Sequence, residues 1–276
     1  MPEQSSLSPA EPLVPAPAPV VVEHPDKEAL AQAAAARLAL TLSDELAETD
    51  EDVHVCLTGG SLGIAVWERL ADSALHRIVD WSRVHFWWSD ERYVPEGHED
   101  RNVQQVREVF FDRVEVPAGN IHPMGSSDAY RTPGEAAEAY ARELAEHAPT
   151  GEKAPVFAVS LLGMGPDGHM ASLFPGRREI LDDAVDVLPI EDSPKPPPRR
   201  VTMTRPMIDL AARIWFLVSG ADKAEAFSRL EQAARVEARD GRAPDEQAQL
   251  EAPAVAARGW AQTLYLVSRE ARPAFS

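Results

Sequence analysis

The chain has 276 residues, of which 44% are hydrophobic, a single cysteine and a formal net charge of −18. This is enough apolar material for one large α/β domain or two smaller ones. So acidic a chain is a poor candidate for sequence-independent binding to nucleic acid or anionic membrane, which needs clustered Lys and Arg, but a local basic pocket for a small anion is compatible with it.

Six of the 24 prolines fall within the first 19 residues, among Ala, Ser, Glu and Val. That composition predicts a disordered tail over residues 1–22, followed by a single domain over residues 23–276. The tail lacks the basic and continuous apolar regions of a secretory signal, and no stretch is long enough to span a bilayer. Cys56 has no partner for an intramolecular disulfide or a structural zinc site and is read as core, so a cytoplasmic location is expected.

Beyond the tail, Leu30, Ala34, Leu38, Leu42 and Leu46 recur at helical spacing, predicting a helix from Asp26, its N-cap, to about Leu46. Strands are predicted at Val53–Thr58, Val84–Ser89, Val156–Leu162, Val185–Ile190, Ile214–Ser219 and Thr263–Ser268. Helices are predicted at Leu62–Leu75, Asn102–Val114, Pro133–His147 and Asp222–Val236. Continuously apolar strands alternating with helices indicate an α/β architecture: a mainly parallel sheet flanked by helices on both faces. The proline-rich stretch 191–200 reads as an extended connection, and 237–251 as a loop or a frayed helix end.

Ligands of open α/β sheets bind at the carboxyl ends of strands, so four strand ends carry the functional signal. In Thr58-Gly59-Gly60-Ser61, leading straight into a helix, free backbone N–H groups suit a phosphate; a tight turn with Ser61 as N-cap is the plainer alternative. In Asp90-Glu91-Arg92, Arg92 fits an oxyanion beside orienting carboxylates, although such triplets also occur as solvated loops. Gly163-Met164-Gly165-Pro166-Asp167-Gly168-His169 places a carboxylate two residues from an imidazole, a pattern suited to general-base catalysis as well as to a simple loop histidine. Lys223, in the first turn of a predicted helix, is either a phosphate ligand or a surface lysine. His85, His98, His122 and His147 are dispersed, without metal-site spacing, and no metal site is expected.

Together these segments resemble the 6-phosphogluconolactonase family, which shares its fold with glucosamine-6-phosphate isomerases and deaminases. The most specific match is Leu162 to His169 followed by Ala171-Ser172-Leu173-Phe174-Pro175; Asp90-Glu91-Arg92 with Asn102, and Pro196 to Thr204, support it. The resemblance implies a Rossmann-like sheet and a metal- and cofactor-independent hydrolase of a phosphosugar lactone in the pentose phosphate pathway. It implies His169 as catalytic base with Asp167 beside it. It further implies a substrate pocket drawn from Gly59, Gly60, Ser61, Asp90, Glu91, Arg92, Arg101, Asn102, Gly165, Gly168, Arg200 and Lys223. The implied partner is the small-molecule lactone, with no nucleic acid and no membrane, acting on a monomer or homodimer. Three departures from the family pattern stand out. Leu62-Gly63 replaces Thr-Pro, Arg101 replaces a small polar residue and adds charge to the expected pocket, and Met170 replaces Thr.

Two other functions share parts of this pattern. Deaminases resemble the chain at Gly-x-Asp-Gly-His but continue Ala-Phe-Asn-Glu-Pro, where Ala171-Ser172-Leu173-Phe174-Pro175 stands here. A phosphosugar-sensing regulator would carry a helix-turn-helix, for which the N-terminal extension is too short.

Overall fold

The computed structural model describes residues 16–272. In chain order, β1 (Val20–His24), α1 (Lys27–Glu48), β2 (Val53–Leu57), α2 (Gly60–Asp72) and β3 (Val84–Trp88) come first. The short β4 (Asp90–Arg92) and α3 (Asn102–Val106) follow, then α4 (Pro133–Glu146), β5 (Phe157–Gly163), β6 (Val187–Ile190) and β7 (Arg200–Met203). The chain ends with α5 (Arg205–Ile208), β8 (Ala211–Val218), α6 (Ala224–Asp240), α7 (Glu246–Glu251) and β9 (Gln262–Ser268).

Six strands form one parallel sheet in the order β1-β9-β8-β5-β2-β3. Alternation along each strand divides the core in two. Val53, Val55 and Leu57 of β2, Phe86 and Trp88 of β3, and Trp215 and Leu217 of β8 pack with α1 and α2. Cys56, Trp87, Phe216 and Tyr265 point the other way, onto Tyr140 and Leu144 of α4 and Phe227 and Leu230 of α6. Burial on both faces is why these strands read as unbroken apolar runs. Cys56 is fully buried in this core, as expected.

Helix α1 begins as predicted, with the Asp26 carboxylate accepting from the Ala29 N–H at 2.9 Å. Four expectations need correction. Val20, Val21 and Val22 are not tail: they pair with Leu264, Tyr265 and Leu266 of β9, because three consecutive β-branched residues complete the sheet edge. The rest of the predicted tail, residues 1–15, lies outside the described residues. The strand near Val185–Ile190 belongs to a separate antiparallel sheet of order β4-β7-β6. The helix expected to run from Asn102 to Val114 changes after Val106 into π-helical turns over Arg107–Phe111, and both Phe110 and Phe111 reach the Phe86 ring. Finally, 237–251 contains the end of α6 and the separate helix α7, whose N-cap Asp245 accepts from the Ala248 N–H.

Strand order places β3 on one side of β2 and β5 on the other, so the winding reverses at β2. The carboxyl ends of β2 and β5 flank this switch point, where an α/β sheet opens a crevice. No helix among the described residues is long and apolar enough to cross a membrane.

Candidate active site

At that crevice lies a cavity of about 250 Å³. Its floor is the start of α2. The N-cap, Gly59, supplies no side-chain bond, so the first-turn N–H groups of this 13-residue helix face the cavity with their partial positive charge. Ser61 is inside the helix rather than its cap; its hydroxyl accepts a 2.9 Å hydrogen bond from the Lys27 ammonium at the start of α1. A Cβ on Gly59 would lie 1.9 Å from Oδ1 of Asn102, so only glycine lets α2 and α3 approach this closely.

The second wall is the loop after β5. With its proton on Nδ1, His169 donates to Oδ1 of Asp167 at 2.5 Å, which fixes the tautomer and leaves the Nε2 lone pair free. The His169 side chain is only 18% exposed and lines the cavity, with its ring 4.9 Å from that of Phe174. A Cβ on Gly165 would fall 2.0 Å from Cε1 and Nδ1 of His169; the missing side chain is the seat of the imidazole. Burial pushes the Asp167 carboxyl up, but the hydrogen bond and charge of His169 and the charge of Lys195 outweigh it and hold the group well below its ordinary pKa. Asp167 therefore stays ionised beside the ring.

The third wall joins β4, α3 and the proline-rich connection. Lys195 places Nζ 3.3 Å from Oδ1 of Asp167 and 3.1 Å from Nδ1 of His169. Since Nδ1 carries a proton toward Asp167, the ammonium donates to the carboxylate. The backbone that carries it is held by Arg200, 6% exposed, whose guanidinium donates to the carbonyls of Lys195, Pro196 and Pro197 at 3.1–3.3 Å. Arg200 also stands 3.8 Å from Oδ2 of Asp90, which accepts from the Ser172 hydroxyl at 2.7 Å. Asn102 donates from Nδ2 to the Asp90 carbonyl at 2.8 Å, while its buried Oδ1 has no partner among the described residues. Arg92 donates to the Asp100 carbonyl at 2.6 Å and lines the cavity, as does Lys223. Burial lowers the pKa of Lys223; Asp222 opposes this, and Lys195 and Lys27 reinforce it.

Of the residues singled out from sequence, the cavity wall holds Gly59, Gly60, Ser61, Asp90, Arg92, Asn102, Gly165, His169, Arg200 and Lys223, with Asp167 directly behind His169. Three lie elsewhere. Glu91 is buried beneath the wall, where its carboxylate accepts from the N–H groups of Arg92, Asn102 and Val103 at 2.7–3.0 Å and so fixes the start of α3. Arg101 adds no charge to the pocket: its buried guanidinium turns toward Glu91 and the carbonyls of Val94 and Met124, because an otherwise unpaired buried carboxylate draws it inward. Gly168, at φ +85°, faces Ala252 and serves the turn. Leu62 and Met170, the family departures, are core residues. Lys195 and Lys27 were not legible as site residues, one among prolines and the other at an ordinary helix start.

The chain is similar to known proteins over most of its length. Residues 25–257 match the family model described as glucosamine-6-phosphate isomerases/6-phosphogluconolactonase. The chain belongs to this family. It is 41% identical over 250 residues to a 6-phosphogluconolactonase of Mycobacterium tuberculosis, covering 90% of this chain and 94% of the relative. A Streptomyces coelicolor 6-phosphogluconolactonase is 40% identical over 257 residues, 92% of this chain and 93% of the relative. The crystal structure of a Thermotoga maritima 6-phosphogluconolactonase superposes with a TM-score of 0.72 at 28% identity, covering 91% of this chain and 99% of that one.

Proposed function

We propose that this chain hydrolyses 6-phosphoglucono-1,5-lactone to 6-phosphogluconate, with His169 as general base and without a catalytic metal. The observation that carries the mechanism is the Asp167–His169 pair. Its 2.5 Å bond orients the ring and leaves the Nε2 lone pair free on a side chain that lines the cavity. Water attacks the C1 carbonyl as its proton passes to Nε2; the C1–ring-oxygen bond then breaks, and the imidazolium returns the proton to the departing oxygen. Asp167, held ionised, stabilises the intermediate imidazolium. The phosphate is drawn to the α2 N-terminus, with Arg92, Lys195 and Lys223 offsetting its charge. Metal independence is supported by the donor set. Among the described residues no group of three His, Cys, Asp or Glu side chains converges on this cavity, and Asp167 is already engaged by His169 and Lys195.

The competing reaction of this fold is deamination of glucosamine 6-phosphate. An assay supplying freshly generated 6-phosphogluconolactone and, separately, glucosamine 6-phosphate distinguishes the two. Rapid acid release from the lactone alone is expected; turnover of the amino sugar alone would overturn the proposal.

A further inference from the structure

Three of the four histidines that look dispersed along the chain come together in the fold. At the amino ends of the strands, the opposite end from the cavity and roughly 16 Å away along β2, one ring nitrogen from each of His85, His122 and His147 lies within 4.8 Å of the other two. His85 stands on β3, His122 follows the turn that bridges Ile121 to Phe86, and His147 caps the end of α4.

The outer nitrogens of all three rings are committed. Nε2 of His85 is 3.3 Å from Oδ2 of Asp52, Nδ1 of His122 is 2.7 Å from Oε1 of Glu143, and Nδ1 of His147 is 3.0 Å from the Glu143 carbonyl. The 2.8 Å contact between Nδ1 of His85 and Nε2 of His122 is an N–H···N hydrogen bond in the ion-free protein, so an ion binding here has to displace that proton. Carboxylate or carbonyl behind each imidazole, with one nitrogen of each ring within 4.8 Å of the others, is the outer-shell arrangement of a metal site. The nearby His54 is excluded from the set, because its Nδ1 accepts from the Trp87 indole N–H at 3.0 Å.

We infer that His85, His122 and His147 bind a divalent first-row transition ion, zinc being the one that suits three imidazoles and an open fourth position filled by solvent. Tetrahedral zinc with metal–nitrogen bonds of about 2.0–2.1 Å separates its ligand atoms by roughly 3.3 Å, so the His85–His122 contact has to open by about half an ångström and the two rings have to turn until both nitrogens face the ion. Glu143 and Asp52 have side chains 38% and 52% exposed, and His147 is half-buried, so the cluster can be reached from solvent. The ion would tie the end of α4 to strand β3, and it touches nothing in the catalytic cavity.

The test uses the full chain stripped with EDTA and titrated with zinc sulfate by calorimetry and with Co(II) by visible spectroscopy. One equivalent is expected to bind, with imidazole-type tetrahedral Co(II) bands and a raised melting temperature. His147→Gln, at a half-buried position, should weaken binding by at least about 100-fold, and Glu143→Ala by about 10–100-fold. His169→Ala should bind as tightly as wild type, and the stripped protein should keep its turnover. Absence of stoichiometric binding by the wild-type chain, or binding that survives both His147→Gln and His122→Asn, would overturn the inference.

Discussion

At the scale of single residues, the site depends as much on what is missing as on what is present. Gly165 is the clearest case: its Cα is the floor under the His169 ring, and a methyl group there would sit 2.0 Å from Nδ1. Gly165→Ala should displace the imidazole by close to an ångström and lower kcat by about 10²-fold while the far-UV spectrum and melting temperature change little; steady-state kinetics with a thermal melt checks this. Lys223 makes a second prediction. Because burial lowers its pKa, its charge is lost as pH rises through a value below the ordinary lysine range. The free enzyme should therefore lose kcat/KM on the alkaline side earlier than an exposed lysine would dictate. Lys223→Arg, which stays charged, should remove that alkaline limb from the kcat/KM profile if Lys223 binds the phosphate.

Among elements, helix α2 links core and site. Its first turn presents free N–H groups to the cavity, and two turns later the fully buried Trp67 packs 4.9 Å from Phe110 and 5.6 Å from Phe86. Trp67→Ala should lower the unfolding free energy by about 3–5 kcal/mol, measured as a fall in the urea midpoint at unchanged slope. The elements legible in the sequence are those whose burial leaves a periodic trace: α1, α2, α4, α6 and the doubly covered strands β2, β3, β5, β8 and β9. Those that were not legible have no such trace. Strand β1 is hidden by the prolines before it, β4 is three charged residues whose pairing with β7 is set by tertiary contacts, and α7 is a six-residue helix between polar segments. The same holds for the site. His169, Asp167 and the α2 turn are contiguous motifs, whereas Lys195 and the histidine cluster arise only when distant segments meet. Arg101 shows the reverse error, a cation adjacent in sequence but claimed by the buried Glu91.

For the whole molecule, the formal charge of −18 and the proposed binding of a phosphosugar are reconciled by distance. Exposed charges act over about 8 Å at physiological salt, so the local set of Arg92, Lys195 and Lys223 beside a helix N-terminus governs the cavity. The fold gathers these groups because the sheet reverses its winding at β2 and brings the ends of β2 and β5, the start of α2 and the Arg200-held loop to one edge. His169 lines this cavity, and the most direct test of its proposed role is the turnover number of His169→Ala on freshly generated 6-phosphogluconolactone beside that of the wild type. General-base catalysis by His169 requires kcat to fall by about 10²–10⁴-fold in a variant that melts as the wild type does. Turnover near the wild-type value in that folded variant would contradict it.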